Sequence, residues 1–229
     1  RAAIAAPLAA GTSNDGAAAA VRDRMRAALD GGRAALERRF QEDHDGVALA
    51  ADLAHLVDGI LAGALDFAER RLYPIGNPTR GEELALIAVG GYGRGELAPH
   101  SDIDILFLYP FKPTPRLEQL AEFLLYRLWD LGLKVGQSTR SLNECLKLAK
   151  QDLTIQTTLL ETRLVWGSER LAAELEARFR SEVCHRQEGA FIEAKLRERD
   201  ERHQRMGDSR YLLEPNIKRS QGGLRDIQL

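Results

Sequence analysis

Hydrophobic and polar positions set out a small number of elements. Leu84 to Val89 and Ile103 to Tyr109 are short apolar runs rich in Ile, Leu, Val and Phe, which predicts two core strands. Upstream, Leu49, Leu53, Leu56, Val57, Ile60, Leu61, Ala64 and Ala68 recur at three- and four-residue steps, so an amphipathic helix is expected, with His55 beside its stripe. Val21 to Gln41 also favours helix, although Gly31-Gly32 should weaken or kink it. Residues 1–18 show neither period and read as a disordered leader. Tyr73-Pro74 through Pro78 ends the helical region before the first strand.

After the second strand, Pro110, Pro113 and Pro115 make a stiff turn. A helix is expected from about Arg116 to Asp130, with Gly132 as its stop. Leu133 to Ser138 reads as a third strand. Ser141-Leu142-Asn143-Glu144 has capping-box spacing, and Asp152 is a second cap, for a helix carrying Leu153, Ile155, Leu159, Leu160 and Val165. Ser168 to about Met206 reads as more helix, and its charged part Lys195 to Arg205 as a solvated face, with one of its arginines over a bound phosphate as the minority reading. Tyr211 to Ile217 has strand character restricted to an edge by Pro215, before a turn at Gly222-Gly223.

The fold class is therefore α/β (α+β), a small mixed sheet flanked by helices with additional N- and C-terminal helices. Residues 19–74 are helices packing on a domain of residues 75–229, which includes a helical insertion at about 141–206.

The chemistry concentrates between the two predicted strands. Gly90, Gly91, Gly93 and Gly95 clear side chains where the first strand ends, so backbone N–H groups can approach a phosphate. No Gly-Lys-Ser or Gly-Lys-Thr follows, which excludes a P-loop, and Gly91-Tyr92-Gly93-Arg94-Gly95 does not match the dinucleotide fingerprint. Asp102 and Asp104 lie two apart on the second strand, so both carboxylates project from one face, roughly 6–7 Å apart. At an effective dielectric of ~20 such a pair repels by about 2–3 kcal/mol, which a bridging divalent cation reverses. A plain glycine turn with solvated aspartates is the alternative.

Composition narrows the possibilities. The 229 residues are 44% hydrophobic and 29% charged, with net charge −2. There is no basic field to hold nucleic acid, and no run of the ~18 apolar residues a membrane span needs, so neither is an expected partner. Cys145 and Cys184 lack metal spacing and are too few for a disulfide scaffold, which points to the cytoplasm. The opening residues and the closing Leu224–Leu229 read as fragment boundaries.

The order GG, Arg94, then Ser101-Asp102-Ile103-Asp104 and an apolar strand resembles the nucleotidyltransferase superfamily of the polymerase-β type. Together with LKVGQSTRSLNEC, DLTIQTTLLETRLVWG and LEPNIKRSQGGLRDIQ, it resembles the bifunctional family of uridylyltransferase and uridylyl-removing enzymes that modify the nitrogen-regulatory PII protein. The resemblance implies Mg²⁺ on Asp102 and Asp104, UTP phosphates on Gly90, Gly91 and Arg94, Ser101 at the loop or a phosphate, and a PII tyrosine as acceptor. It also implies that the chain is the N-terminal transferase part, with the hydrolytic and glutamine-sensing domains beyond Leu229. Many members of the superfamily carry a third carboxylate on the third strand. Here that strand offers Gly136, Gln137 and Ser138, and Glu214 is the candidate instead. An adenylylating transferase acting on a protein such as glutamine synthetase, and a non-catalytic nucleotide sensor, are the competing functions.

Overall fold

The computed structural model describes residues 1–8, 12–185, 187–205, 216–218 and 220–227. In chain order the elements begin with α1 (Ala2–Ala5), α2 (Asn14–Asp43) and α3 (Gly46–Phe67), which runs on through a π-helical turn, Ala68–Leu72. The strand-bearing part follows as β1 (Ala85–Val89), α4 (Gly90–Gly93), β2 (Ile103–Tyr109), α5 (Pro115–Asp130), β3 (Val135–Ser141), α6 (Leu142–Ala149), α7 (Leu153–Leu160) and β4 (Thr162–Gly167). Then come α8 (Glu169–Phe179) with a π-helical turn, α9 (Glu188–Arg205) and α10 (Leu224–Ile227).

The four strands form one mixed sheet in the order β3-β2-β1-β4. β1 is antiparallel to both β2 and β4, whereas β2 and β3 are parallel. The expected mixed sheet flanked by helices is what the chain forms. Alternation along the strands feeds two cores. Leu86, Ala88, Ile103, Ile105 and Phe107 face α2, α3 and α5, while Ala85, Ile87, Leu106 and Leu108 face α6 and α8. Each buried Leu or Ile contributes about 1.5–3 kcal/mol relative to exposure. Cys145 lies in the second core, where burial pushes its thiol up to about 12, so it is a packing group and not a nucleophile.

The two predicted caps are present: Ser141 and Glu144 form the capping box, and Asp152 accepts from the Thr154 and Ile155 N–H groups. The structure adds a third at α5, where Thr114 accepts from the Leu117 N–H with Pro115 at the first helical turn. Three expectations fail, and a fourth lies mostly outside the described residues. Residues 2–5 and 14–18 are helical instead of disordered, because Ile4 is buried against α3 and Ser13 caps α2. Helix α2 passes through Gly31-Gly32 as one element, since Gly32 makes room for Leu56, whose Cδ1 would lie 2.5 Å from a Cβ there. Residues 141–206 are not purely helical. The helix expected to reach Val165 ends at Leu160, and β4 pairs along β1, where its Trp166 is buried and its Val165 packs on the first core. The late edge strand falls mostly on residues 206–215, outside the described residues, and Asn216–Lys218 lead into a turn.

Gly46–Leu72 has the length and hydropathy of a membrane span. Here it is the central helix of the first core, with Leu61, Ala64 and Leu65 fully buried and with Asp58 and Asp66 in ion pairs.

Candidate active site

Strand register brings the glycine turn and the aspartates to one end of the sheet. Ala88 pairs with Ile105, so the chain leaving β1 at Gly90 runs beside the start of β2. There the chain turns into α4, which lies against both strands. Gly90 has φ +60°, and nothing would touch a Cβ at that position, so the turn needs glycine for its backbone and leaves open space in front of it. At Gly93 the demand is close approach: a Cβ would lie 2.0 Å from the Glu161 carbonyl oxygen.

A long-range network fixes this turn. The buried Tyr92 hydroxyl donates to Asp58 Oδ1 at 2.6 Å, and Arg163 grips both oxygens of Asp58 at 2.5 and 3.1 Å. Arg163 also donates to the Tyr92 carbonyl at 3.1 Å and stacks over its ring at 5.3 Å. Burial, followed by the Asp58 charge, pushes the Tyr92 phenol up, so it stays protonated as a donor. Asp58 and Arg163 escaped the sequence reading because they lie 105 residues apart. A charged residue inside the apolar period of α3 was the one available signal.

Asp102 and Asp104 are both exposed, on either side of buried Ile103. Partial burial, and then the Asp102 charge, push the Asp104 carboxyl above the usual carboxylate range, while Lys218 pulls it the other way. Across the parallel ladder Asp104 pairs with Gly136. A Cβ on Gly136 would lie 2.0 Å from Asp104 Oδ1, so the Asp104 carboxylate fills the space where a β3 side chain would stand. With Asp104 so placed, position 136 has no room for a third carboxylate. Glu214, the candidate for that role, lies outside the described residues.

Gly136→Ala is expected to displace Asp104 by about 1 Å and lower turnover about a hundredfold with little change in thermal stability. Transfer rate and Tm measured on the same sample check this.

Two adjacent oxygen donors open to solvent suit Mg²⁺, which commonly takes one or two carboxylates and completes its shell with water and phosphate. Among the described residues no cluster of three metal-ligating side chains exists.

Ser101 is exposed and closes a turn through its N–H to the Ala98 carbonyl at 3.1 Å, and His100 beside it has φ 66°. Arg94 is not free. Glu161 holds its guanidinium at 2.7 Å and Glu96 at 3.1 Å. It still lines a cleft of about 350 Å³ that begins at Gly90 and is walled by Thr154, Thr157 and Leu160 of α7 and by Phe191, Lys195 and Arg202 of α9. That volume lies at the lower end of small-molecule sites.

Residues 78–165 match the nucleotidyltransferase domain model, and residues 190–229 match the GlnD PII-uridylyltransferase model. Bifunctional uridylyltransferase/uridylyl-removing enzymes are similar over nearly the whole chain. The one from Rhodospirillum rubrum is 52% identical over 89% of this chain, and the one from Novosphingobium aromaticivorans 52% over 91%. The chain is similar to this uridylyltransferase family over about nine-tenths of its own length. It spans 22% and 23% of the length of those two relatives. The relative from Azospirillum brasilense, 49% identical over 90% of the chain, is likewise covered over 22% of its length. A crystal structure of a toxin–antitoxin with AMP-PNP aligns at 20% identity over 50% of this chain and 87% of its own, with a TM-score of 0.33, too remote to bear on fold or function.

The nucleotidyltransferase domain match covers β1, the glycine turn, both aspartates and β3. The PII-uridylyltransferase match covers the segment that follows, held by Asp226. Arg202 donates to Asp226 Oδ1 at 2.5 Å, His203 Nε2 lies 2.9 Å from Oδ2, and the Gly222 N–H donates to Oδ2 at 2.8 Å.

Burial raises the Asp226 carboxyl, but the Gly222 N–H, Arg202 and His203 outweigh it and hold it below its ordinary value. A depressed carboxyl stabilises the docked segment above the unfolded pKa of ~4, and that contribution is lost as pH falls through the folded value. Protection of the Gly222 N–H from hydrogen exchange is therefore expected to hold from neutrality to about pH 4 and to fail below it, and Asp226→Asn should abolish the transition.

Proposed function

We propose that this chain catalyses Mg²⁺-dependent transfer of UMP from UTP to a tyrosine of the PII signalling protein, with release of pyrophosphate, in the cytoplasm. The observation that carries the reading is the open glycine turn at Gly90 beside the exposed Asp102 and Asp104 pair, in a chain about half identical to uridylyltransferases.

Asp102 and Asp104 would hold the cation, which when bound neutralises charge on the α- and β-phosphates. Gly90 and Gly91 leave the phosphates a path to the backbone. The phenolic oxygen attacks the α-phosphorus in line: its O–P bond forms, the bond to the bridging oxygen breaks, and pyrophosphate leaves with that electron pair. The phenolic proton passes to solvent. No hydrogen bond joins the Ser101 hydroxyl to a base among the described residues, and Ser101 orients the loop. The cleft that begins at Gly90 and runs between α7 and α9 supports the reading as room for the nucleotide. Net charge −2 suits a protein acceptor better than a nucleic acid.

The test is transfer of label from four α-labelled nucleoside triphosphates to PII and to its tyrosine-to-phenylalanine variant. Transfer from UTP alone, lost with the phenylalanine acceptor, supports the reading. Transfer from ATP instead makes the chain an adenylylating relative, and nucleotide binding with no transfer makes it a sensor.

A further inference from the structure

The latch at Asp226 has a neighbour with nothing to do in the free protein. Arg225 lines the same cleft as Gly90 and Arg94. Of the four cations on that wall, three are engaged: Arg94 with Glu161, Lys195 with Glu198 and Arg202 with Asp226. The Arg225 guanidinium is exposed and has no hydrogen-bond or ion-pair partner among the described residues.

Its backbone, in contrast, is tied down. The Arg225 N–H donates to the Lys218 carbonyl at 3.2 Å, the Leu224 N–H to the Ile217 carbonyl at 2.9 Å and the Asp226 N–H to the Gly223 carbonyl at 2.9 Å, so the backbone is held at the arginine and on both sides of it. Lys218 itself lies close enough to Asp104 for its charge to be felt there. An anchored backbone carrying an unpaired guanidinium at a cleft mouth is preorganised for an anion, and a planar fork suits phosphate oxygens.

We infer that Arg225 is a nucleotide-binding residue whose guanidinium pairs with the β- and γ-phosphates of the nucleoside triphosphate, the part that departs as pyrophosphate. The inference rests on the nucleotidyltransferase reading and adds to it a phosphate-binding residue from outside the glycine turn. It also gives the Asp226 latch a purpose, since loss of the latch would release Arg225 from the cleft.

The experiment is equilibrium binding of UTP and UMP to the purified chain in Ca²⁺, to slow turnover, with Arg225→Ala, Arg225→Lys and, as a surface control, Arg199→Ala. Arg225→Ala is expected to weaken UTP at least about tenfold and to leave UMP within about twofold, because UMP lacks the phosphates concerned. Arg225→Lys should recover part of the loss, and Arg199→Ala should change neither ligand. Equal UTP affinity in Arg225→Ala and the parent, or equal losses for UTP and UMP, would overturn the inference while leaving the function standing. A parent chain that binds ATP in place of UTP removes the uridine assignment alone, and the same comparison is then made with ATP and AMP. A parent that binds no triphosphate overturns both.

Discussion

Asp104→Asn is expected to lower the transfer rate by at least about a hundredfold while the protein melts within a few degrees of the parent. Asp102→Asn should behave alike. Asn is nearly isosteric, so the β2 backbone, whose Ile103 and Ile105 remain buried on either side of position 104, has no reason to move. What changes is charge. The repulsion between two carboxylates disappears, which on its own favours the fold slightly, while the pair's capacity to hold a divalent cation is lost. Stability and activity therefore move independently or in opposite directions. A parallel fall in both would mean that the aspartates serve the fold. Rate and Tm measured together distinguish these outcomes.

The second large effect lies away from the chemistry. Asp58→Ala should destabilise the chain by about 2–3 kcal/mol, because it strips partners from a half-buried guanidinium and a buried phenol at once. For a protein of this size that corresponds to a fall in Tm of roughly 4–12 °C. Asp58 also ties α3 to the glycine turn through Tyr92, so the affinity for nucleotide should drop as well. Arg163→Met, which removes the cation and keeps an apolar body, should cost less than Asp58→Ala because the Asp58 carboxylate it leaves behind still accepts from the Tyr92 hydroxyl, whereas Asp58→Ala strips a partner from two groups at once. Denaturation of both variants checks the order, and a reversed order would remove the network from its role as the support of the turn.

Local rules carried much of the architecture. β1 and β2 stood out as apolar runs, α5 as a helix between a proline turn and a glycine stop, and α6 and α7 by their caps, all features decided within a few residues. Elements decided by distant partners did not stand out. TRLVWG becomes β4 because the free edge of β1 takes it up, and nothing local separates it from the end of the preceding helix. Gly31-Gly32 looked like a weak point or kink because glycine costs about 1 kcal/mol in a helix interior, but contact with Leu56 across the α2–α3 interface decided the matter. Ile4 is held in the same way, by a helix far along the chain.

At the site, the spacing of Asp102 and Asp104 placed both on one face, and the glycines gave the turn. The role of Gly136 was hidden, since a glycine in a strand says only that something approaches, and the parallel register with β2 was needed to identify that neighbour as Asp104. The pairing of Arg94 with Glu161, and the unpaired state of Arg225, likewise depend on which helices meet across the cleft.

The most direct measurement is the paramagnetic relaxation of Mn²⁺, standing in for Mg²⁺, titrated with and without UTP against the parent and Asp102→Asn. With the glycine turn and the aspartates forming one site, nucleotide should tighten the metal and metal the nucleotide by the same factor, and the substitution should weaken both by at least about tenfold. Metal and nucleotide binding that are independent of each other, or unchanged in Asp102→Asn, would contradict the assignment of this end of the sheet as the active site.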